Sequence, residues 1–155
     1  MSLVATMPET DTASETPSVL PGTPVVFTEP MLGFERLQKF RLERIRGTPF
    51  SWLHSEDDRT AHFCLLAIFE AGLDPDIEIS TSDAASIGAH DTSDITVLGV
   101  VVLDQDPAKI RVNLRAPVIY CPSTGKAKQV VLSNPALPVQ YLLKDVSAAR
   151  AARAN

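Results

Sequence analysis

A mostly β fold, a small antiparallel barrel or sandwich with one or two short helices, is what this 155-residue chain predicts. Three observations carry that expectation. Apolar and polar residues alternate with the period of a strand from Ile110 to Val118. Two stretches, His62–Phe69 and Asp94–Leu103, are apolar on both faces, as strands covered from both sides are. Turn signals recur about every 8–12 residues, which leaves room for about seven to nine short strands.

Taken in order, Met1–Gly22 is rich in Thr, Ser, Pro and Glu and has no hydrophobic period. It cannot bury enough apolar surface to offset its ordering entropy, so residues 1–22 are expected to form a disordered tail. Pro24–Thr28 reads as a first short strand, followed by a turn at Pro30–Gly33 in which Gly33 supplies a positive φ before Phe34. Phe34–Ile45 admits two readings, a helical turn leading into a strand or one bent strand, closed by Gly47-Thr48-Pro49. Phe50–Ser55 is a strand with Phe50, Trp52 and His54 on one face, Trp52 belonging to the core. Glu56-Asp57-Asp58-Arg59 makes an acidic turn before the central strand, which Gly72-Leu73-Asp74-Pro75 ends. Ile77-Glu78-Ile79 alternates briefly. Ser80–Ala89 is the best internal helix, with Ser80 or Ser82 as N-cap and Asp83 near the positive helix end. Asp104–Pro107 then turns the chain into a long hairpin.

That hairpin spans Ile110–Leu132. Ile110, Val112, Leu114, Ala116 and Val118 are expected to point one way, with Arg111, Asn113 and Arg115 pointing the other. Pro117 has no N–H for a ladder, which places it at an edge, at a bulge or where the strand changes partners. Pro122-Ser123-Thr124-Gly125 forms the turn and Gln129–Leu132 the return strand. Asn113, Arg115 and Gln129 would then share a wet face suited to gripping another protein. Asn113 equally suits holding a local turn or bulge. After Asn134-Pro135 comes a last strand at Val139–Leu143, and residues 144–155 are Ala/Arg-rich, a helix or tail. The expected domain is therefore residues 23–143.

Composition narrows the function classes. Of 19 acids, Glu9, Asp11 and Glu15 lie in the tail, leaving 16 against 14 bases, so the remainder is near neutral and lacks the basic stripe of a nucleic-acid binder. No apolar run approaches the ~20 residues of a membrane helix, and no signal peptide is visible, so a cytoplasmic protein is expected. Cys64 and Cys121 sit in apolar stretches and read as small core residues. His54, His62 and His90 do not recur at metal-ligand spacing. Ser123-Thr124-Gly125-Lys126 lacks the upstream glycine of a phosphate loop, and no G-x-S-x-G elbow occurs. Neither a catalytic residue nor a cofactor or metal site is expected.

Four blocks carry a likeness. Phe27, Gly33-Phe34-Glu35, then Pro49-Phe50-x-Trp52-Leu53-x-Ser55-x-Asp57-Asp58, then Asn113-Leu114-Arg115-Ala116-Pro117-Val118, and finally Gln129-Val130-Val131-Leu132 come in the order and spacing of the flagellar assembly factor FliW. The chain resembles that family from about Phe27 to Leu132, and departs from its pattern at Pro30, Leu32, Ile77 and Cys121. The resemblance implies a small, mostly antiparallel β-barrel-like domain without catalytic activity. It also implies two protein partners, flagellin and the RNA-binding translational repressor CsrA. Flagellin export would free the protein to restrain CsrA. A flagellin-dedicated chaperone without CsrA binding is the alternative. Asp57, Asp58, Asn113, Arg115 and Gln129 are the expected partner-binding residues, and Gly33, Phe34, Trp52 and Pro117 the structural ones. Acidic turns at Glu56–Asp58 and Asp104–Asp106 would complement a basic partner, and a monomer that binds no nucleic acid directly and no membrane is expected.

Overall fold

The computed structural model describes residues 22–144. The tail assigned to residues 1–22 and the terminal segment assigned to 144–155 thus fall outside the described residues, apart from Gly22 and Lys144. Eight strands, one helix and two 3-10 turns (Thr92–Asp94 and Pro107–Lys109) follow in order among them. The strands are β1 (Thr23–Phe27), β2 (Lys39–Arg44), β3 (Phe50–Ser55), β4 (His62–Ala67), β5 (Thr96–Val102), β6 (Arg111–Cys121), β7 (Lys126–Gln129) and β8 (Tyr141–Leu142). The helix, α1, is Thr81–Ser86, with the Ser80 hydroxyl accepting from the Asp83 N–H as N-cap. Phe34–Ile45 proves to be tight turns followed by a strand rather than one bent strand.

Sheet order is β5-β4-β3-β2-β1-β7-β6-β8, and β5 also pairs with β6. That extra pairing closes β1–β7 into a seven-stranded barrel and leaves β8 as a short addition to β6. Closure removes the two long edges that an open sheet would expose. One ladder departs from the antiparallel expectation. β1 runs parallel to β7, Val26 opposite Lys126 and Phe27 opposite Ala127. Their directions are set by distant segments of chain, so no local pattern marks this seam.

Three apolar clusters hold the fold. Val25, Phe27, Phe40, Leu53, Phe63, Leu65, Leu98, Val118, Tyr120 and Ala127 fill the barrel interior. A second cluster lies on the outside of β3–β6, where Ile68, Ala71 and Leu73 cover Cys64, Leu66, Val101 and Val112. Trp52 packs half-buried against this outer cluster, so its place in the core lies outside the barrel wall. In the third, Ala84 of α1 and its C-cap Ile87 cover Ile119 and Cys121 of β6. Lys128 fastens the same helix, its buried ammonium 2.8 Å from the Asp83 carboxylate and 3.5 Å from Glu29. Asp83 holds the Lys128 ammonium above its ordinary value, and Lys128 holds the Asp83 carboxyl below its own. Both cysteines are free and buried, and burial pushes the Cys64 thiol up to about 11.

The uniform alternation expected along Ile110–Val118 is broken by a bulge. β5 pairs Leu98 with Val118 and Val100 with Asn113, so Gly99 alone spans the interval that β6 fills with Leu114–Pro117. An odd excess of residues reverses the parity of side chains beyond it. Val112 and Leu114 accordingly join the outer cluster while Val118 enters the interior. Gly99 is required by proximity, since a Cβ there would stand 2.5 Å from Val112 Cγ2. Pro117 sits within the bulge, where its missing N–H costs no ladder bond.

Candidate partner-binding surface

At the bulge, the side-chain oxygen of Asn113 accepts from the N–H groups of Arg115 (2.9 Å) and Ala116 (3.0 Å). It satisfies the donors that the interrupted ladder leaves over. β7 continues along β6 beyond Gln129, the Val130 and Leu132 N–H groups donating to the Pro117 and Arg115 carbonyls. The ladder therefore starts earlier than the return strand expected at Gln129–Leu132, with Lys126 opposite Cys121. The chain then loops out and rejoins β6 as β8. The Arg115 guanidinium spans this loop, donating to the carbonyls of Leu137 (2.9 Å) and Pro135 (2.8 Å). Gln129 is a cross-brace, its amide N–H donating to the Ala116 carbonyl while its amide oxygen accepts from Leu32 N–H. Asn113, Arg115 and Gln129 are each half-buried and bonded within the chain, Asn113 in the way its reading as the holder of a local bulge expected.

The acidic turn is built differently. Ser55 Oγ, wholly buried, accepts from the N–H groups of Asp57 and Asp58. One carboxylate oxygen of Asp57 accepts from Gln38 N–H (2.8 Å) and Lys39 N–H (2.9 Å), fastening the turn to the start of β2. Asp58 closes its own loop through the N–H and hydroxyl of Thr60. These hydrogen bonds favour the charged form and hold both carboxyls below the ordinary 3.8. Both residues remain exposed. The turn therefore presents fixed negative charge to solvent.

Beside it lies a hollow of about 290 Å³ lined by Gly33, Phe34, Glu35, Arg36, Leu37, Asp58 and Ala61. Gly33 adopts φ +86°, as expected, and aims the chain so that the Phe34 ring meets Phe63 edge-on at 4.9 Å. Two blocks that are far apart in sequence, Gly33-Phe34-Glu35 and Ser55-x-Asp57-Asp58, thus meet at one hollow lined by apolar and charged side chains alike. Two further exposed apolar residues escaped sequence reading. Leu32 and Val131 are 64 % and 65 % exposed, and Gln129 links them, binding Leu32 N–H from two residues before Val131. Their only signal in the sequence was an apolar residue in a turn and a second consecutive valine at 131. Among the described residues, no group of three or more His, Cys, Asp or Glu side chains is arranged to hold a metal ion, and no helix is long and apolar enough to cross a membrane.

Comparison with known proteins adds the remaining observation. The profile of the family described as "FliW protein" matches residues 10–143. The chain belongs to the FliW family. The match begins at residue 10, inside the stretch whose composition sets it apart as a tail, whereas the resemblance ran from about Phe27 to Leu132. Similar relatives include the flagellar assembly factor FliW of Clostridium botulinum, 32 % identical over 120 residues, covering 77 % of this chain and 85 % of the relative. Another is that of Caldicellulosiruptor bescii, 33 % identical over 121 residues, covering 77 % and 78 %. A crystal structure of the flagellar assembly factor FliW superposes with TM-score 0.71 at 21 % identity, over 78 % of this chain and 85 % of that one. It shares the closed, mostly β architecture described above.

Proposed function

We propose that this FliW-family protein is a cytoplasmic, non-catalytic flagellar assembly factor that binds flagellin and, when flagellin is exported, restrains the translational repressor CsrA. Family membership across the whole barrel is the observation that carries this reading. The surface is compatible with it. The exposed carboxylates of Asp57 and Asp58 complement a basic RNA-binding partner, where opposite charge chiefly speeds and steers encounter. The hollow beside Phe34 and the exposed Leu32–Val131 pair offer apolar ground for one face of an amphipathic helix, the expected form of a flagellin end segment.

The deciding experiment measures binding of the purified chain to flagellin and to CsrA, separately and in competition. Binding to both, with flagellin displacing CsrA, is expected. Binding to flagellin alone would leave a dedicated chaperone, and binding to neither would end the reading. Charge reversal at Asp57 and Asp58 should slow CsrA association and flatten its salt dependence. Unchanged kinetics would move the CsrA interface elsewhere.

A further inference from the structure

Where β3 and β4 lead into and out of the acidic turn they carry a cluster of ionisable side chains. His54 of β3 and His62 of β4 are direct cross-strand partners. Their Nδ1 atoms stand 2.9 Å apart with ring planes at 81°. On the other side of His54, Nε2 lies 2.9 Å from the Glu43 carboxylate of β2. His54 is only 1 % exposed, so water cannot replace either bond. Eight residues separate the two histidines in sequence, and it is the hairpin that sets them ring to ring.

Hydrogen-bond chemistry restricts how many protons this arrangement can hold. An ionised carboxylate only accepts, so Nε2 of His54 carries a hydrogen. The Nδ1–Nδ1 contact is a bond only when one hydrogen lies between the two nitrogens. With a second, two N–H groups face each other at hydrogen-bond distance and the contact becomes repulsive. Other charged groups surround the pair. Arg41 of β2 is the register partner of His54 and is ion-paired with Glu56 at 3.3 Å. Asp58 favours a charge on His62, as does the Arg59 carbonyl, to which its ring bonds. Burial and the neighbouring His54 charge outweigh these and depress His62 below the ordinary 6.5.

The coupling to the turn is short. Ser55, one residue beyond His54, donates its N–H to the Ala61 carbonyl at 3.0 Å, and its hydroxyl carries the Asp57 and Asp58 N–H groups. We propose that the His54–His62 pair is a proton-operated latch, in which a second proton parts the end of the β3–β4 hairpin and slackens the acidic turn. Resting on the reading of that turn as a partner surface, the latch makes binding of a basic partner weaken on acidification. Because the folded state disfavours the second proton, the stabilising effect is full above 6.5 and is lost as pH falls through the folded value.

The test uses the full-length chain without partner. Amide hydrogen exchange of Gln38, Lys39, Asp57 and Asp58 is followed from about pH 7.5 to about pH 5, the interval in which histidine titrates, after correction for intrinsic rates. In the acid half of that interval the protection of these amides should fall by up to about tenfold per pH unit, as a single-proton linkage dictates. His62→Gln should abolish the pH dependence. Glu43→Gln, which removes the compensating charge and keeps an acceptor, should change the midpoint. Protection that is constant with pH in the wild type, or an unchanged slope in His62→Gln, would overturn the latch. CsrA association, measured over the same pH range, separates the two readings. A turn that opens with no effect on association overturns the partner link and upholds the titration.

Discussion

The bulge at Asn113–Pro117 and the turn at Ser55–Ala61 solve one problem in two ways. In both, the ladder is interrupted and polar side chains take up the backbone N–H groups left over. At the bulge the side chain that does so, Asn113, is half-buried and accepts from two amides, while half-buried Arg115 donates to two carbonyls of the neighbouring loop. At the turn the buried acceptor is a serine, while the carboxylates that finish the job stay in water. The same logic therefore yields internal architecture in one place and a charged surface in the other. A polar residue on a strand is a framework element when its atoms are used internally.

The contrast can be broken, starting at the bulge. Asn113→Ala strands two partly buried N–H groups and should lower unfolding free energy by about 3 kcal/mol, read from denaturant midpoints. A loss below about 1 kcal/mol would mean that water replaces the amide and that the bulge is more open than its bonds imply. Gly99→Ala attacks the same bulge from the facing strand. Its Cβ would meet Val112, and a cost of about 2 kcal/mol is expected from overpacking. Arg115→Lys keeps the charge but loses the planar fork that spans the Pro135 and Leu137 carbonyls, for about 1 kcal/mol. Raised exchange of the Leu114 amide, which donates to the Pro138 carbonyl, would report the loosened loop. The turn should respond least at neutral pH and most in acid. Asp57 and Asp58 titrate below 3.8 in the fold, so their contribution is full above that value and is lost as pH falls through the depressed values. Asp57→Asn should therefore flatten part of the acid limb of the stability profile, and an unaltered limb would assign it to other carboxyls.

Much of this was legible locally. Strands at 50–55, 62–67 and 96–102, the Ser80 cap and the positive φ at Gly33 follow from alternation, apolar runs, capping chemistry and turn residues. Each depends on neighbours a few positions away, where propensity and periodicity act. Buried Lys128 was not legible, because the carboxylates that permit its burial come from Glu29 and Asp83. Nor was the partnership of His54 with His62 and Glu43, since spacing along the chain says nothing of cross-strand register in three strands at once. The Asn113-Leu114-Arg115-Ala116-Pro117 block was visible as a likeness, with Pro117 marking a break. Its alternation promised one continuous face because the pattern contains no sign that Gly99 alone faces four residues.

By itself the sequence determined the fold class, most of the strands and turns and the family, because each is written in short-range pattern or in the order of a few blocks. Only the tertiary structure decided the parallel β1–β7 seam, the reversal of side-chain parity across the bulge and the meeting of the Phe34 and Asp58 regions around one hollow. Those features depend on which distant backbones share hydrogen bonds. Closing a barrel chooses among registers that are locally equivalent, and that choice determines which polar side chains are used up inside and which still face water.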